Sequence, residues 1–345
     1  MKKQKFLFCL FSIFLVAIIL CMPAFAKETQ GSNINDIKLY VGGMPFGARI
    51  SSKGLTVVKF SETQGEMASS AYLAGIRQGD IITKINGINI NTIEDFVGLI
   101  NKSGGKELKI TVERNNREML FNVVPKYSTD DGKYKTGIWV KDSTSGIGTV
   151  TYINPKNNAF GGLGHAICDT VSGKVVPFTR GVVMDVAING VIKGQTGVAG
   201  ELKGSFKAKK IGSLLKNCEC GVFGILADNT VSSPEGLVSI CDMESVKEGE
   251  AYIWCTLDQN GPQKYKIEIT NIDRSGSATK NFRIKVTDSR LLEKSGGIVQ
   301  GMSGSPIIQN GKLVGAVTHV LINDPTQGYG IFIENMLNAM PSTIK

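Results

Sequence analysis

The sequence predicts a mainly β chain in two parts: a small α+β unit, then a larger closed or sandwiched all-β domain. Three observations carry this. Glycine is abundant, with 41 in 345 residues, as in turn-rich chains. From about residue 130, short apolar runs alternate with turn residues: "GIWV", "GTVTYI", "KYKIEITNI" and "NFRIKVTD". Such runs read as strands. Helical spacing is confined to short stretches, among them Ile93, Phe96, Val97 and Ile100, and "IENMLNAM" at the end. Hydrophobic residues make up 42% and charged residues 20%, which suits packed cores rather than disorder.

Residues 1–26 stand apart. "MKKQK" is a basic start, Phe6 to Leu20 is apolar apart from Ser12, and "PAFA" ends in an A-x-A-like site. This is an export signal peptide; a signal anchor is the alternative, because the apolar stretch nears the lower limit for spanning a bilayer. Residues 6–22 would give a transient membrane association. Residues 27–39 read as a linker. The formal charge is +9, and removal of Lys2, Lys3 and Lys5 leaves about +6. No basic cluster is dense enough for nucleic-acid binding. Cys168, Cys218, Cys220, Cys241 and Cys255 follow the signal. The odd count leaves at least one thiol free or paired with another chain. "CEC" with only His165 and His319 in the chain is a poor zinc set, so no metal and no cofactor is expected.

The first unit spans 40–127. In "AYLAGIRQGDIITKINGINI", Ala71 to Gly75 closes a short helix, "IITKI" is a strand, and Asn86-Gly87 is a hairpin turn. A second helix starts near Thr92, with Asp95 three residues on as in a capping box. "ELKITVER", Asn115-Asn116 and "EMLFNVV" form a closing hairpin. Through Ala74-Gly75-Ile76, Gly79-Asp80-Ile81-Ile82 and Ile85-Asn86-Gly87 this unit resembles a PDZ domain. That resemblance implies capture of peptide ends by strand addition. "YVGGMPFG", with Gly42 and Gly43, is then the candidate carboxylate loop, and Ile93 and Val97 are groove or core residues.

The second domain spans 128–345. Ser303 lies in the frame Gly301-Met302-Ser303-Gly304-Ser305-Pro306. Such a cramped turn can aim the N–H groups of Gly301 and Ser303 at one oxyanion. The frame resembles the nucleophile loop of chymotrypsin-like serine proteases, which implies a double β-barrel. "PIIQNGKLVGAVTHV" then reads as a strand, a turn and a second strand, on which Thr318, His319 and Val320 would meet substrate backbone. "GYGIFI" resembles the segment closing the primary pocket. A serine needs a general base, and histidine is the usual one. His165, in "GGLGHAICD", precedes Ser303 as in chymotrypsin-like chains; His319 sits on the strand after it and reads as a subsite residue. For the acid, Asp169, Asp185 and Asp288 are open, and an acid between His and Ser favours the later two. Met302 replaces the acidic residue that digestive proteases use in activation.

A PDZ unit ahead of "GGLGHAICD" and "GGIVQGMSGSPIIQNGKLVGAVTHVLINDPTQGYG" resembles the stage IV sporulation protein B peptidases of spore-forming bacteria. The resemblance implies a triad of His165, Asp288 and Ser303. It implies a secreted serine endopeptidase that acts between forespore and mother cell, with self-cleavage and PDZ-regulated activity. Its substrate would be a membrane-anchored inhibitory regulator. Cleavage would release an intramembrane protease that processes pro-sigma-K. The PDZ groove would take peptide C-termini or a self-peptide. The rivals are a quality-control PDZ protease, which normally carries the PDZ unit after the protease, and a non-catalytic PDZ adaptor.

Overall fold

The computed structural model describes residues 37–62, 68–170, 173–176, 180–227 and 233–345. The export segment and most of the expected linker lie outside these. No described helix is long and apolar enough to cross a membrane.

The chain opens with β1 (Lys38–Val41) and β2 (Pro45–Phe60). Next come α1 (Ser70–Leu73), β3 (Ile81–Ile85), β4 (Ile88–Asn89), α2 (Ile93–Lys102), β5 (Leu108–Arg114) and β6 (Arg117–Val123). A hairpin, β7 (Lys126–Ser128) and β8 (Lys133–Lys135), leads into the long β9 (Ile138–Ile153). β10 (Ala159–Gly162), β11 (Arg180–Ile192), β12 (Glu201–Cys218), β13 (Gly221–Leu226) and β14 (Leu237–Ser239) follow. The last part holds β15 (Gly249–Thr256), β16 (Pro262–Thr270), β17 (Phe282–Val286), α3 (Ser289–Ser295), β18 (Pro306–Gln309), β19 (Lys312–Leu321), β20 (Asp324–Phe332) and α4 (Ile333–Ala339).

Two barrels result, as the resemblance of the Ser303 frame implies. β15, β16, β17, β20, β19 and β18 close one of them. Its strands alternate as a filled barrel requires: in β17, Phe282, Ile284 and Val286 are buried while Arg283 and Lys285 face out. The other ring runs β2, β9, β10, β13, β12, β11 and back to β2, antiparallel at every step. Phe46, Ile50, Val150, Phe160, Val183 and Val222 fill it. Fully burying one such side chain is worth roughly 1.5–3 kcal/mol.

The PDZ unit packs its own core from Leu55, Ile76, Ile82, Ile85, Phe96, Ile100 and Ile110. The Thr92 hydroxyl accepts from the Asp95 N–H at 3.1 Å, capping α2 as expected. Asn86 and Gly87 take φ of 51° and 79°, the left-handed pair of a tight hairpin turn. Arg114 grips Asp80 with two nitrogens, at 2.6 and 2.7 Å.

Both expected domain boundaries, at 40 and at 127/128, move. β2 is one 16-residue strand serving two domains. Pro45 to Ser51 pair with Ser143 to Thr149 of β9, and Gly47 to Ser51 also pair with β11. Beyond a register shift, Thr56 to Phe60 pair with Ile138 to Lys141 of β9, and Leu55 and Thr56 pair with β3. The PDZ unit is therefore inserted into the first barrel, entered along β2 and left along β9. The reason is closure: a barrel missing β2 exposes two unpaired edges. A fragment covering 128–345 keeps every strand of the second barrel but lacks β2, so the amides of β10 to β13 should lose their hydrogen-exchange protection in it and keep that protection in 37–345. Equal protection of those strands in both would contradict the shared-strand architecture.

Candidate active site

The nucleophile loop begins at α3. Asp288 caps that helix by accepting from the Arg290 N–H, and Gly296, at φ 73°, ends it. The chain then turns tightly to β18. Gly304 has φ 95°, and a Cβ there would run into the Thr149 carbonyl and the Leu163 N–H, so no larger residue fits. The N–H groups of Met302, Gly304 and Ser305 donate to Val299, Val317 and Met302 carbonyls at 3.1, 2.7 and 2.9 Å. The intervening N–H groups, of Gly301 and Ser303, have no backbone acceptor among the described residues. Leu202 donates to the Gln300 carbonyl at 2.8 Å, which turns the Gly301 N–H the opposite way. Two spare donors on alternate residues are what an oxyanion hole needs.

His165 follows a strained turn. Leu163 and Gly164 take φ of 66° and 67°, and a left-handed leucine is uncommon outside functional sites. The His165 loop is held by Asn217, whose side chain accepts from the Ile167 N–H at 2.8 Å and donates to the Ile167 carbonyl at 2.9 Å. His165 Nδ1 lies 2.9 Å from the Ala166 carbonyl. A carbonyl only accepts, so Nδ1 carries the proton of the neutral ring. Nε2 is left with its lone pair, the tautomer a general base requires. Burial lowers the His165 pKa from its ordinary value, partly offset by that hydrogen bond. The His319 ring sits 5.1 Å away, centroid to centroid. Burial, helped by the charges of His165 and Lys280, pushes its pKa down to about 4.

Both histidines and the serine line one cleft of about 940 Å³ at the seam of the barrels, together with Gly301, Thr318, Val320, Ile298 and Val299. The structure thus brings together His165, Ser303, Gly301, Thr318, His319 and Val320. The Ser303 hydroxyl donates to the Thr318 carbonyl at 2.7 Å and to neither imidazole. The Thr318 hydroxyl is tied to the Thr279 and Tyr329 carbonyls at 3.0 and 3.2 Å; its side chain shapes the wall.

Asp288 is not brought to His165. Its carboxylate takes the Arg290 N–H, Nε and Nη2 at 3.0, 3.0 and 2.8 Å, and the Lys266 N–H at 3.1 Å. The Arg290 guanidinium, outweighing burial, pulls its pKa down to about 2. It is a helix cap and ion-pair partner, and the cleft lining does not include it. Of the other candidates, Asp169 pairs with Lys141 at 2.6 Å and Asp185 with Lys207 at 3.0 Å. The orienting acceptor seen at His165 is a backbone carbonyl. Cys168, Cys218, Cys220, Cys241 and Cys255 are all unpaired. Among the described residues no three His, Cys, Asp or Glu side chains converge as metal ligands.

The candidate PDZ carboxylate loop is also displaced. Gly42 and Gly43 donate to the Thr151 and Val150 carbonyls at 3.0 and 2.8 Å, and the Thr256 hydroxyl donates to the Gly43 carbonyl at 2.9 Å. They join the two barrels and lie outside the PDZ unit. Ile93 packs on the PDZ core. Val97, 42% exposed, does face a recess, of about 680 Å³, between α2, the β7–β8 hairpin and Thr136 to Trp139. One edge of Ile138 to Lys141 pairs with β2; among the described residues the other edge pairs with no strand. The sequence reading missed this groove because its strand follows the PDZ unit. It also missed Asn217, a lone polar residue before "CEC" with no local signal.

The pattern describing the SpoIVB peptidase S55 family matches residues 132–337, more than half of the chain. The chain belongs to the SpoIVB peptidase S55 family. A PDZ domain pattern matches residues 63–114 of this S55 chain. "Putative zinc metalloprotease LL2128" of Lactococcus lactis is 35% identical over 88 residues, covering 26% of the chain and 20% of that protein. "Regulator of sigma-W protease RasP" of Bacillus subtilis is 31% identical over 64 residues, 19% of the chain and 15% of that protein. The chain thus spans a fifth or less of the length of these curated relatives. Among solved structures, the PDZ domain of the SdrC-like protein Lmo2051 from Listeria monocytogenes is 18% identical. It covers 27% of the chain and 93% of that structure, with a TM-score of 0.23. The active form of the Rv3671c protease from M. tuberculosis is 13% identical, covering 56% and 72%, with a TM-score of 0.33.

Two outcomes test this description of the S55 site. Because the folded His319 resists protonation, only the unfolded chain takes up that proton between about pH 6.5 and 4. Stability should therefore fall as pH drops through that window, and His319→Asn should flatten the fall; equal slopes in thermal melts would refute the assignment. Asp288→Ala should lower stability by at least the ~1 kcal/mol of a lost helix cap, read from urea unfolding. An unchanged midpoint would contradict the capping role.

Proposed function

We propose that this chain is a serine endopeptidase of sporulation, exported and acting between forespore and mother cell. The observation that carries the reading is the meeting of Ser303, a Nδ1-protonated His165 and the spare Gly301 and Ser303 N–H groups in one cleft. In the reaction, Ser303 Oγ rotates off the Thr318 carbonyl and gives its proton to His165 Nε2. The oxygen bonds to the substrate carbonyl carbon, whose oxyanion is held by the two N–H groups. The C–N bond breaks as His165 returns the proton to the leaving amine, and water releases the acyl group by the reverse sequence.

The substrate is a membrane-tethered regulatory protein whose cleavage frees an intramembrane protease to process pro-sigma-K, and the chain also cleaves itself. The groove between α2 and Ile138 to Lys141 supports binding of a peptide by strand addition, in place of the Gly42–Gly43 loop. Regulation of peptidase activity through that groove is part of the same reading.

The resting bond from Ser303 to Thr318 favours one rival, a PDZ adaptor with a silent barrel pair. Mass spectrometry of the purified protein separates the two. Wild type should show self-cuts, and Ser303→Ala and His165→Ala should show none, since removing either group typically costs roughly 10⁶ in turnover. Identical fragments from Ser303→Ala would establish the adaptor.

A further inference from the structure

β9 leaves the PDZ groove at Ile138 and reaches the nucleophile loop eleven residues later. There its alternation puts two hydroxyls on one face. Thr149 Oγ1 donates to the Gly301 carbonyl at 2.8 Å, and Thr151 Oγ1 donates to the Gly304 carbonyl at 2.7 Å. Both threonines are buried, at 1% and 0% exposure. Thr149 does more. Its N–H donates to the Ser303 carbonyl at 2.9 Å, and its carbonyl accepts the Leu163 N–H at 3.2 Å. One residue thus ties the two ends of the Gly301–Ser303 turn and the strained turn that carries His165.

We propose that Thr149 is a positioning residue of the peptidase: its hydroxyl fixes the Gly301–Met302 peptide, which joins the two peptides bearing the Gly301 and Ser303 N–H groups, so that both groups face one point. This rests on the peptidase reading above. Thr149 is not among the residues lining the cleft and acts through the backbone it holds. The geometry is demanding, because an oxyanion is stabilised only by donors already aimed at it. The amides of Met302, Gly304 and Ser305 are committed elsewhere. The Gly301–Met302 peptide has one other tie, from the Met302 N–H to the Val299 carbonyl at 3.1 Å, and with a glycine at φ 96° beside it that single tie leaves it free to tilt. Valine has the shape of threonine without the donor, so Thr149→Val removes the anchor and leaves the half-buried Gly301 carbonyl without it.

The test uses p-nitrophenyl acetate, a small ester that acylates an activated serine and needs no knowledge of sequence preference. Burst amplitude counts competent sites, and the burst rate reports acylation at each site, so partial misfolding changes the first and not the second. Wild type should burst and Ser303→Ala should not. Thr149→Val should acylate about 10- to 100-fold more slowly per site, below the full loss of an oxyanion donor at about 10²–10³, and Thr149→Ser should recover most of the rate. A wild-type rate in Thr149→Val, or a serine variant slowed as much as the valine variant, would overturn the proposal while leaving the peptidase intact. No burst in wild type would overturn the peptidase reading and this inference with it. Should Thr149→Val give no soluble protein, the serine variant decides alone, a slowing of tenfold or more counting against the hydroxyl.

Discussion

The site depends on the hydrogen-bonded seam where β9 of one barrel meets the Gly301–Ser305 turn of the other. Thr149 and Thr151 reach across it from the first barrel, Leu202 adds a third tie, and Gly304 donates to Val317 from below. Each barrel alone would leave half a site: the first carries His165, the second Ser303. The seam leaves no room for side chains, which is why Gly304 abuts Thr149 and Leu163 and Gly164 abuts Thr318. Close backbone approach, more than any single side chain, brings the His165 turn and the Ser303 turn to one cleft.

Electrostatics at the seam runs on neutrality. Both histidines are pushed toward the uncharged state by burial, and the charge of one disfavours the charge of the other. A neutral His165 with its Nδ1 proton directed at a carbonyl is ready to accept a proton. Holding it this way costs no buried carboxylate, whose desolvation would need repayment. The acid expected to do this, Asp288, is spent on Arg290 and the start of α3. It remains upstream of the nucleophile turn, where its cap secures the helix from which that turn departs.

Much of this was legible in the sequence because the signals are local. The Gly301–Pro306 frame, the Asn-Gly turns and the Thr92 cap each lie within a few residues, and all take the conformations their residues favour. Short alternating runs indicated a closed or sandwiched all-β domain, and the resemblance of the Ser303 frame to chymotrypsin-like proteases implied its two barrels. What escaped is non-local. Nothing within "YVGGMPFG" says that its strand continues into a barrel whose other strands begin at Ile138 and end at Leu226, so the loop reads as part of the PDZ unit. Asp288 sits at a plausible place in the order of residues, but order does not say which way a carboxylate points. Thr149 and Asn217 look like ordinary strand residues until the second barrel and the His165 loop are folded against them.

The central claim is that His165 Nε2 activates Ser303 at the barrel seam. Labelling with a fluorophosphonate, followed by peptide mapping, tests it most directly. A single adduct on Ser303 is expected, forming at a rate that falls only below a pKa lower than the ordinary 6.5 of histidine, and lost in His165→Ala. An adduct on another serine, or a labelling rate indifferent to pH and to His165, would contradict the account.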